Sequence, residues 1–367
     1  MPWENSPVRI DNNIRYPFWK PVVKNLKFLY LLVGLVLLAL VLAHTDLSQL
    51  WDQTVRVGWG IGVILTLYLI AFVLDSVSWQ LALLPLNFDS LTICRVWKIR
   101  MVGEAVNNAT PLATIGGEPV KAVLLKKNFG TGYREGTASL IIAKTTNLLA
   151  LIAFLATGFG LMLVTEVLPP FYNFVAGAGL ITFTAGIVLL FLVQRYKISS
   201  LAGTWMAQTR LGRFLENLLH HIHDMEDRLI HFYTRHRLRF LLALVLAFVN
   251  WVIGALELYV TLLFLGHPVT FGEAWIIEAI AQLVRSGAFF IPGALGIQEG
   301  AFMIVIEAMT GRGVLGLAVA MIRRFREIVW ITWGMLLGGF SSFSPQMAEE
   351  VSPEVSGEPA SPRKPRT

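Results

Sequence analysis

The sequence predicts an all-α protein, a polytopic bundle of transmembrane helices that includes two broken, re-entrant hairpins arranged as an inverted repeat. Three observations support this prediction. Apolar residues make up 55% of the chain and charged residues 15%, too few charges to solvate the surface of a soluble domain. Runs of roughly 20 apolar residues, enough to span the hydrocarbon core as a helix, recur along the chain. Two further apolar segments are interrupted by proline and glycine.

Six apolar segments are expected to cross the membrane, at about 28–43, 59–84, 138–164, 174–193, 240–265 and 314–340. Lys and Arg concentrate in residues 1–27 and 195–239, whereas the loops near 45–57, 166–173 and 266–271 carry one such residue or none. The positive-inside rule therefore places both termini in the cytoplasm, provided that each broken hairpin returns to its starting side. We expect a multi-pass protein of the cell inner membrane.

Three stretches lie outside these spans. Residues 1–27 form a basic N-terminal segment, and residues 341–367, rich in Pro, Ser and Glu, predict a disordered tail. The 195–239 loop spaces its apolar residues as an amphipathic helix on the cytoplasmic leaflet does. Its histidines lack the cysteine or carboxylate pattern of a metal site, so we expect no metal and no other cofactor. Basic residues scattered between apolar spans argue against nucleic-acid binding.

A short motif occurs twice. Residues 111–118 read PLATIGGE and residues 292–299 read PGALGIQE, each a proline, six residues that include glycine, and a glutamate. Each motif follows an apolar helical segment and precedes a span that contains cations. The two repeats, about 91–165 and 272–340, would enter the membrane from opposite sides, as in inverted-repeat transporters with a central site between the breaks. The alternative is a pair of kinked structural hairpins without a ligand.

The breaks and the charges near them supply candidate ligand-binding residues. Proline cannot complete a continuous helix and glycine allows tight turns, so helix-end amides become available to a phosphate. An ionisable side chain at bilayer depth is paired or functional, and arginine suits bidentate phosphate binding. We expect Glu104 and Arg285 to pair between repeats, because each lies seven residues before its proline. Weaker candidates are Asp75, Glu257 and Glu278, and for every charge a structural salt bridge is the alternative.

Around these residues the chain resembles the lysylphosphatidylglycerol synthase transmembrane-domain family of flippase-like membrane proteins. The matching stretches are NNATPLATIGGEPVKAVLLKK at 107–127 and IPGALGIQEGAF at 291–302, and the resemblance covers about 25–340. It implies an integral inner-membrane protein that handles a lipid. The soluble aminoacyl-tRNA-using domain of multidomain members is not expected here, so lysyl transfer is not expected either.

The resemblance also implies which residues bind the substrate. The family's first motif is similar to Asn107, Pro111, Gly116, Gly117 and Glu118, with Lys121 where arginine is common. The second motif corresponds to Pro292, Gly296 and Glu299, and the cations of the following spans to Lys144 and to Arg323 or Arg324. With Arg285, these are the thirteen predicted substrate-binding residues.

Three functions fit these features. The first is translocation or binding of a polar or anionic lipid (phospholipid, hopanoid or polyprenyl-linked) between leaflets, without catalysis. The second is an intramembrane lipid transferase with Glu118 or Glu299 as general base, although no HExxH, GxSxG or P-loop motif occurs. The third is a non-catalytic partner that holds a lipid-modifying enzyme at the membrane. The expected partners are thus a membrane lipid and, in the third case, that enzyme; the oligomeric state is left open.

Overall fold

A computed structural model describes residues 52, 55–83, 89–109, 117–195, 230–288, 291 and 294–340. Its helices, in chain order, are α1 (Gly60–Ala82), α2 (Ser90–Ala109), α3 (Glu118–Phe129), α4 (Tyr133–Thr165), α5 (Pro170–Arg195), α6 (Arg237–Phe264), α7 (Phe271–Gly287), α8 (Ile297–Thr310) and α9 (Gly313–Phe340). Several sequence predictions lie outside the described residues: those for 1–27, 28–43, most of 195–239 and 341–367, and those for Pro111, Gly116 and Pro292.

The structure confirms an all-α, polytopic helical bundle. Within the described ranges, four helices are long and apolar enough to cross a membrane, and they coincide with four of the predicted spans: Gly60–Ala82, Tyr133–Thr165, Pro170–Leu189 and Arg237–Phe264. Much of their surface is apolar and faces outward, as at Phe174 and Ile181 on α5, an arrangement that suits contact with lipid chains. The predicted span at 314–340 is the continuous helix α9, about 42 Å long at 1.5 Å per residue.

Each predicted broken segment consists of two helices that pack against each other, α2 with α3 and α7 with α8. A capping box in which Thr270 and Glu273 satisfy each other's backbone amides begins α7. The chain before α8 turns at Gly296, whose φ of 77° is accessible to glycine at little cost. The described helix ends therefore flank both predicted breaks, while the re-entrant path remains a prediction.

The helices of the two predicted repeats pack reciprocally. The last helix of the second repeat, α9, lies against α2, and the last helix of the first repeat, α4, lies against α7. A glycine permits close approach at both contacts. A Cβ on Gly334 would lie 2.6 Å from the Met101 carbonyl oxygen, and one on Gly158 would lie 2.5 Å from the Ala279 Cβ. Small residues at such contacts allow transmembrane helices to approach closely. A two-fold relation between the repeats would produce this pattern, and the inverted repeat stays a prediction.

We predict that Gly334→Ala destabilises the protein by about 1–3 kcal/mol, because the added methyl group would overlap the α2 backbone. The matched control is Gly160→Ala on α4, where a Cβ meets nothing within 4 Å and alanine favours the helix. Thermal unfolding of the detergent-purified variants, followed by tryptophan fluorescence, measures the difference. Equal unfolding temperatures for the two variants would show that the α2–α9 contact is not tight.

Candidate functional site

A cavity of about 270 Å³ lies among α1, α2, α3, α4 and α6. Its apolar wall includes Tyr68, Phe72 and Trp251. Its polar lining consists of three cations, three carboxylates and two amides: Arg100, Lys121, Lys144, Asp75, Glu104, Glu118, Asn147 and Asn250. This density of polar groups distinguishes the cavity from the apolar helix contacts around it.

Lys121 is the most deeply buried cation of the cavity, with 2% of its surface exposed. Its ammonium nitrogen Nζ lies 2.6 Å from Glu104 Oε1 and 3.1 Å from Glu118 Oε1. The lysine stem passes directly over Gly103, where a Cβ would come within 2.4 Å of Lys121 Cγ. Gly103 is thus required for burying the lysine, although the sequence motif did not include it.

The motif residues Asn107, Gly117 and Glu118 join α2 to α3. The Gly117 amide donates to Asn107 Oδ1 at 2.6 Å, and Asn107 Nδ2 lies 3.5 Å from both Glu104 and Glu118. A Cβ on Gly117 would lie 1.9 Å from the Gly103 carbonyl oxygen, so the two backbones touch there. The structure therefore brings Asn107, Gly117, Glu118 and Lys121 together at one edge of the cavity, as a single hydrogen-bonded corner.

Lys144 is held more loosely than Lys121. Its Nζ lies 3.9 Å from Glu118 Oε1 and its side chain is 54% exposed. In another part of the cavity wall, Arg100 of α2 donates to Asp75 of α1. The Asn250 side-chain oxygen is buried and accepts no hydrogen bond in the described part of the chain. The cavity thus contains a cation and an acceptor that both have spare hydrogen-bonding capacity.

A second cluster of charges lies among α6, α7, α8 and α9. We call it the charged core, and it comprises four arginines and four glutamates: Arg285, Arg323, Arg324, Arg326, Glu257, Glu278, Glu299 and Glu327. Arg323 donates from both terminal nitrogens to Glu278, in one case at 3.0 Å. Arg326 donates to Glu257. All four of these side chains are at most 8% exposed.

The remaining pairs of the charged core tie the second motif to α9. Arg324 donates to Glu299 at 2.6 Å and to Glu327 at 2.9 Å. The other Glu299 oxygen accepts from the Gly296 amide at 2.8 Å and so caps α8. Arg285 lies 3.7 Å from Glu327. The structure thereby gathers Gly296, Glu299, Arg324 and Arg285 in one place.

Ten of the thirteen predicted residues lie in the described part of the chain, and they fall into two groups with different surroundings. Lys121, Lys144 and Glu118 line the cavity, whereas Arg323 and Arg324, predicted to hold phosphate, lie in the charged core against carboxylates. The structure also gives Glu104 and Arg285 separate local partners, Lys121 and Glu327, in place of the expected pair between repeats.

Sequence reasoning missed several cavity residues. Arg100 lies within an apolar segment, where its charge was a usable signal. Asn147, Asn250 and Tyr68 carry no charge and gave no such signal. Tyr68 is notable because it lines the cavity while its ring lies 4.1 Å from Arg326 Cζ of the charged core. Among the described residues, no group of three or more His, Cys, Asp or Glu side chains could hold a metal ion.

We predict that Arg323→Met destabilises the protein by about 3–5 kcal/mol, because the Glu278 carboxylate remains buried without its cation. The double variant Arg323→Met with Glu278→Gln removes both charges, so most of that loss should be recovered. Apparent unfolding temperatures of the single and double variants test this coupling. If the destabilisation of the double variant equals the sum for Arg323→Met alone and Glu278→Gln alone, the pair contributes no coupling energy.

Comparison with known proteins gives two matches. The family model described as the lysylphosphatidylglycerol synthase TM region matches residues 27–334. A UPF0104 membrane protein from Pyrococcus horikoshii is 23% identical over 336 residues, which cover 85% of this chain and 95% of that protein. No solved structure is significantly similar to the chain.

Proposed function

Since the chain belongs to the lysylphosphatidylglycerol synthase transmembrane-region family, we propose that it binds the polar headgroup of a membrane lipid and moves it between the leaflets of the cell inner membrane. The observation that carries this proposal is the cavity, which places three cations, three carboxylates and two amides within an apolar, multi-pass bundle. Ionisable groups inside a membrane-spanning bundle are costly, and those that line a cavity commonly contact a polar substrate.

The surroundings of the cavity suit an amphipathic ligand. A headgroup can use Lys144, which is half exposed and held by one carboxylate, while apolar residues such as Phe72 and Trp251 form the rest of the wall. The acyl chains can then lie along the outward apolar faces of the helices.

The difference between cavity and charged core supports one-sided access. In the orientation expected from the positive-inside rule, α4 begins at the cytoplasmic side. Lys144 and Asn147 lie in its first half, so the cavity would face the cytoplasmic leaflet. The charged core, whose arginines all contact carboxylates, would close the opposite path. Rocking of the two predicted repeats would then alternate which side is open.

We predict that filling the cavity abolishes lipid binding and translocation without altering its charges. Ala71 lines the cavity, and Ala71→Trp would place a large side chain into about 270 Å³ of space. The control is Ala185→Trp on α5, which is exposed on the outer surface of the bundle. Native mass spectrometry measures lipid retained after purification, and quenching of a fluorescent lipid in the outer leaflet of liposomes measures translocation.

The wild-type protein and the Ala185→Trp variant should retain a lipid of defined mass and accelerate its exchange, and Ala71→Trp should do neither. Retention or exchange unchanged in a folded Ala71→Trp variant would place the lipid elsewhere. Lipid retained by the wild type without any acceleration of exchange would reduce the function to lipid binding.

A further inference from the structure

We propose that the cavity selects a headgroup that carries one phosphate and one ammonium group and has no net charge, as in phosphatidylethanolamine. This inference rests on the proposed function and narrows the substrate class. The sequence had pointed instead to an anionic group bound by Arg323 and Arg324, but those guanidinium groups contact Glu278, Glu299 and Glu327 in the charged core.

The first argument is the charge of the cavity wall. Its three cations and three carboxylates balance. Each carboxylate has a cation within 4 Å, with Asp75 next to Arg100, Glu104 next to Lys121, and Glu118 next to both lysines. A neighbouring cation stabilises the ionised carboxylate, and with all six groups ionised the wall carries no net charge. The charged core, with four arginines and four glutamates, adds no net charge either.

A wall without net charge disfavours a ligand that carries one. An anionic headgroup would bring one unbalanced charge into a partly solvated space, where such a charge is costlier than in water. A zwitterion brings both signs and leaves the complex neutral. It can pair its phosphate with a wall cation and its ammonium with a wall carboxylate. These two ion pairs then offset the free energy lost when the headgroup is desolvated.

The second argument is that some side chains of the cavity wall have few hydrogen-bond partners and can bind a ligand. Lys144 has a single contact, 3.9 Å long, whereas Lys121 is shared by two carboxylates. Lys144 is therefore the available donor for a phosphate. Within the described part of the chain, the contacts of Glu118 all involve Oε1, and the buried Asn250 oxygen accepts no hydrogen bond. Glu118 Oε2 is therefore the available acceptor for an ammonium group.

A competition experiment tests the inference directly. Delipidated protein is mixed with equal amounts of phosphatidylethanolamine and phosphatidylglycerol of identical acyl chains, and native mass spectrometry measures the ratio of the two bound lipids. Wild-type protein should favour the zwitterion about tenfold, the order expected for one unit charge in a partly solvated protein site.

Changing the charge of the wall should change this ratio. Glu118→Gln gives the wall one net positive charge, so the preference should move about tenfold toward phosphatidylglycerol. Lys144→Gln gives it one net negative charge and should weaken phosphatidylglycerol more than phosphatidylethanolamine. Because Lys144 is half exposed, this variant should fold even if Glu118→Gln does not. The control Lys127→Gln removes an exposed cation of α3 outside the cavity and should leave the ratio unchanged.

The outcomes separate the two proposals. If wild-type protein binds phosphatidylglycerol as well as or better than phosphatidylethanolamine, or if Lys144→Gln leaves the ratio unchanged, the selection of a zwitterion is overturned while lipid binding stands. If neither lipid is retained and neither exchanges faster in liposomes, the proposed function fails together with the inference.

Discussion

A charged side chain at bilayer depth is stable only beside an opposite charge, and the packing of this bundle depends on that constraint. Helix α9 presents Arg323, Arg324 and Arg326 within two turns, and their carboxylate partners come from α6, α7 and α8 as well as from α9 itself. A shift of α9 by one residue would separate several pairs at once. In lipid, apolar side chains discriminate poorly between helix registers, so these ion pairs supply much of the specificity of the second half of the chain.

In the first half of the chain, the buried cation is Lys121, and glycine residues allow its carboxylate partners to reach it. Gly103 and Gly117 allow α2 and α3 to touch, and the touching backbones enclose the stem of Lys121. The ammonium group then reaches Glu104 and Glu118. The second motif uses its glutamate differently, since Glu299 caps α8 and binds Arg324. Related motifs thus adjoin a polar cavity in one case and a filled, paired core in the other. Under the proposed function this asymmetry corresponds to a state that is open on one side.

Much of the fold could be predicted from the sequence because hydropathy and proline–glycine breaks are local signals. They located four spans and the helix ends on either side of both breaks, and the motif contained Asn107, Gly117, Glu118 and Lys121, which are neighbours in the structure. The sequence did not predict which carboxylate each arginine would contact. Arg323 pairs with Glu278, 45 residues away in the chain, and the spacing of apolar residues along the sequence does not predict that contact. The arginines therefore looked available for phosphate, and uncharged cavity residues such as Asn250 gave no signal at all.

Tyr68 connects the two charged regions physically. Its ring forms part of the cavity wall and faces the Arg326 guanidinium, a cation–π contact that weakens quickly with distance. Arg326 in turn pairs with Glu257, which lies 3.8 Å from Arg323. A movement of α1 that widens or narrows the cavity must therefore change the surroundings of Arg326 and of the pairs behind it. Under the proposed function, this chain of contacts explains how entry of a headgroup into the cavity would alter the ion pairs of the charged core.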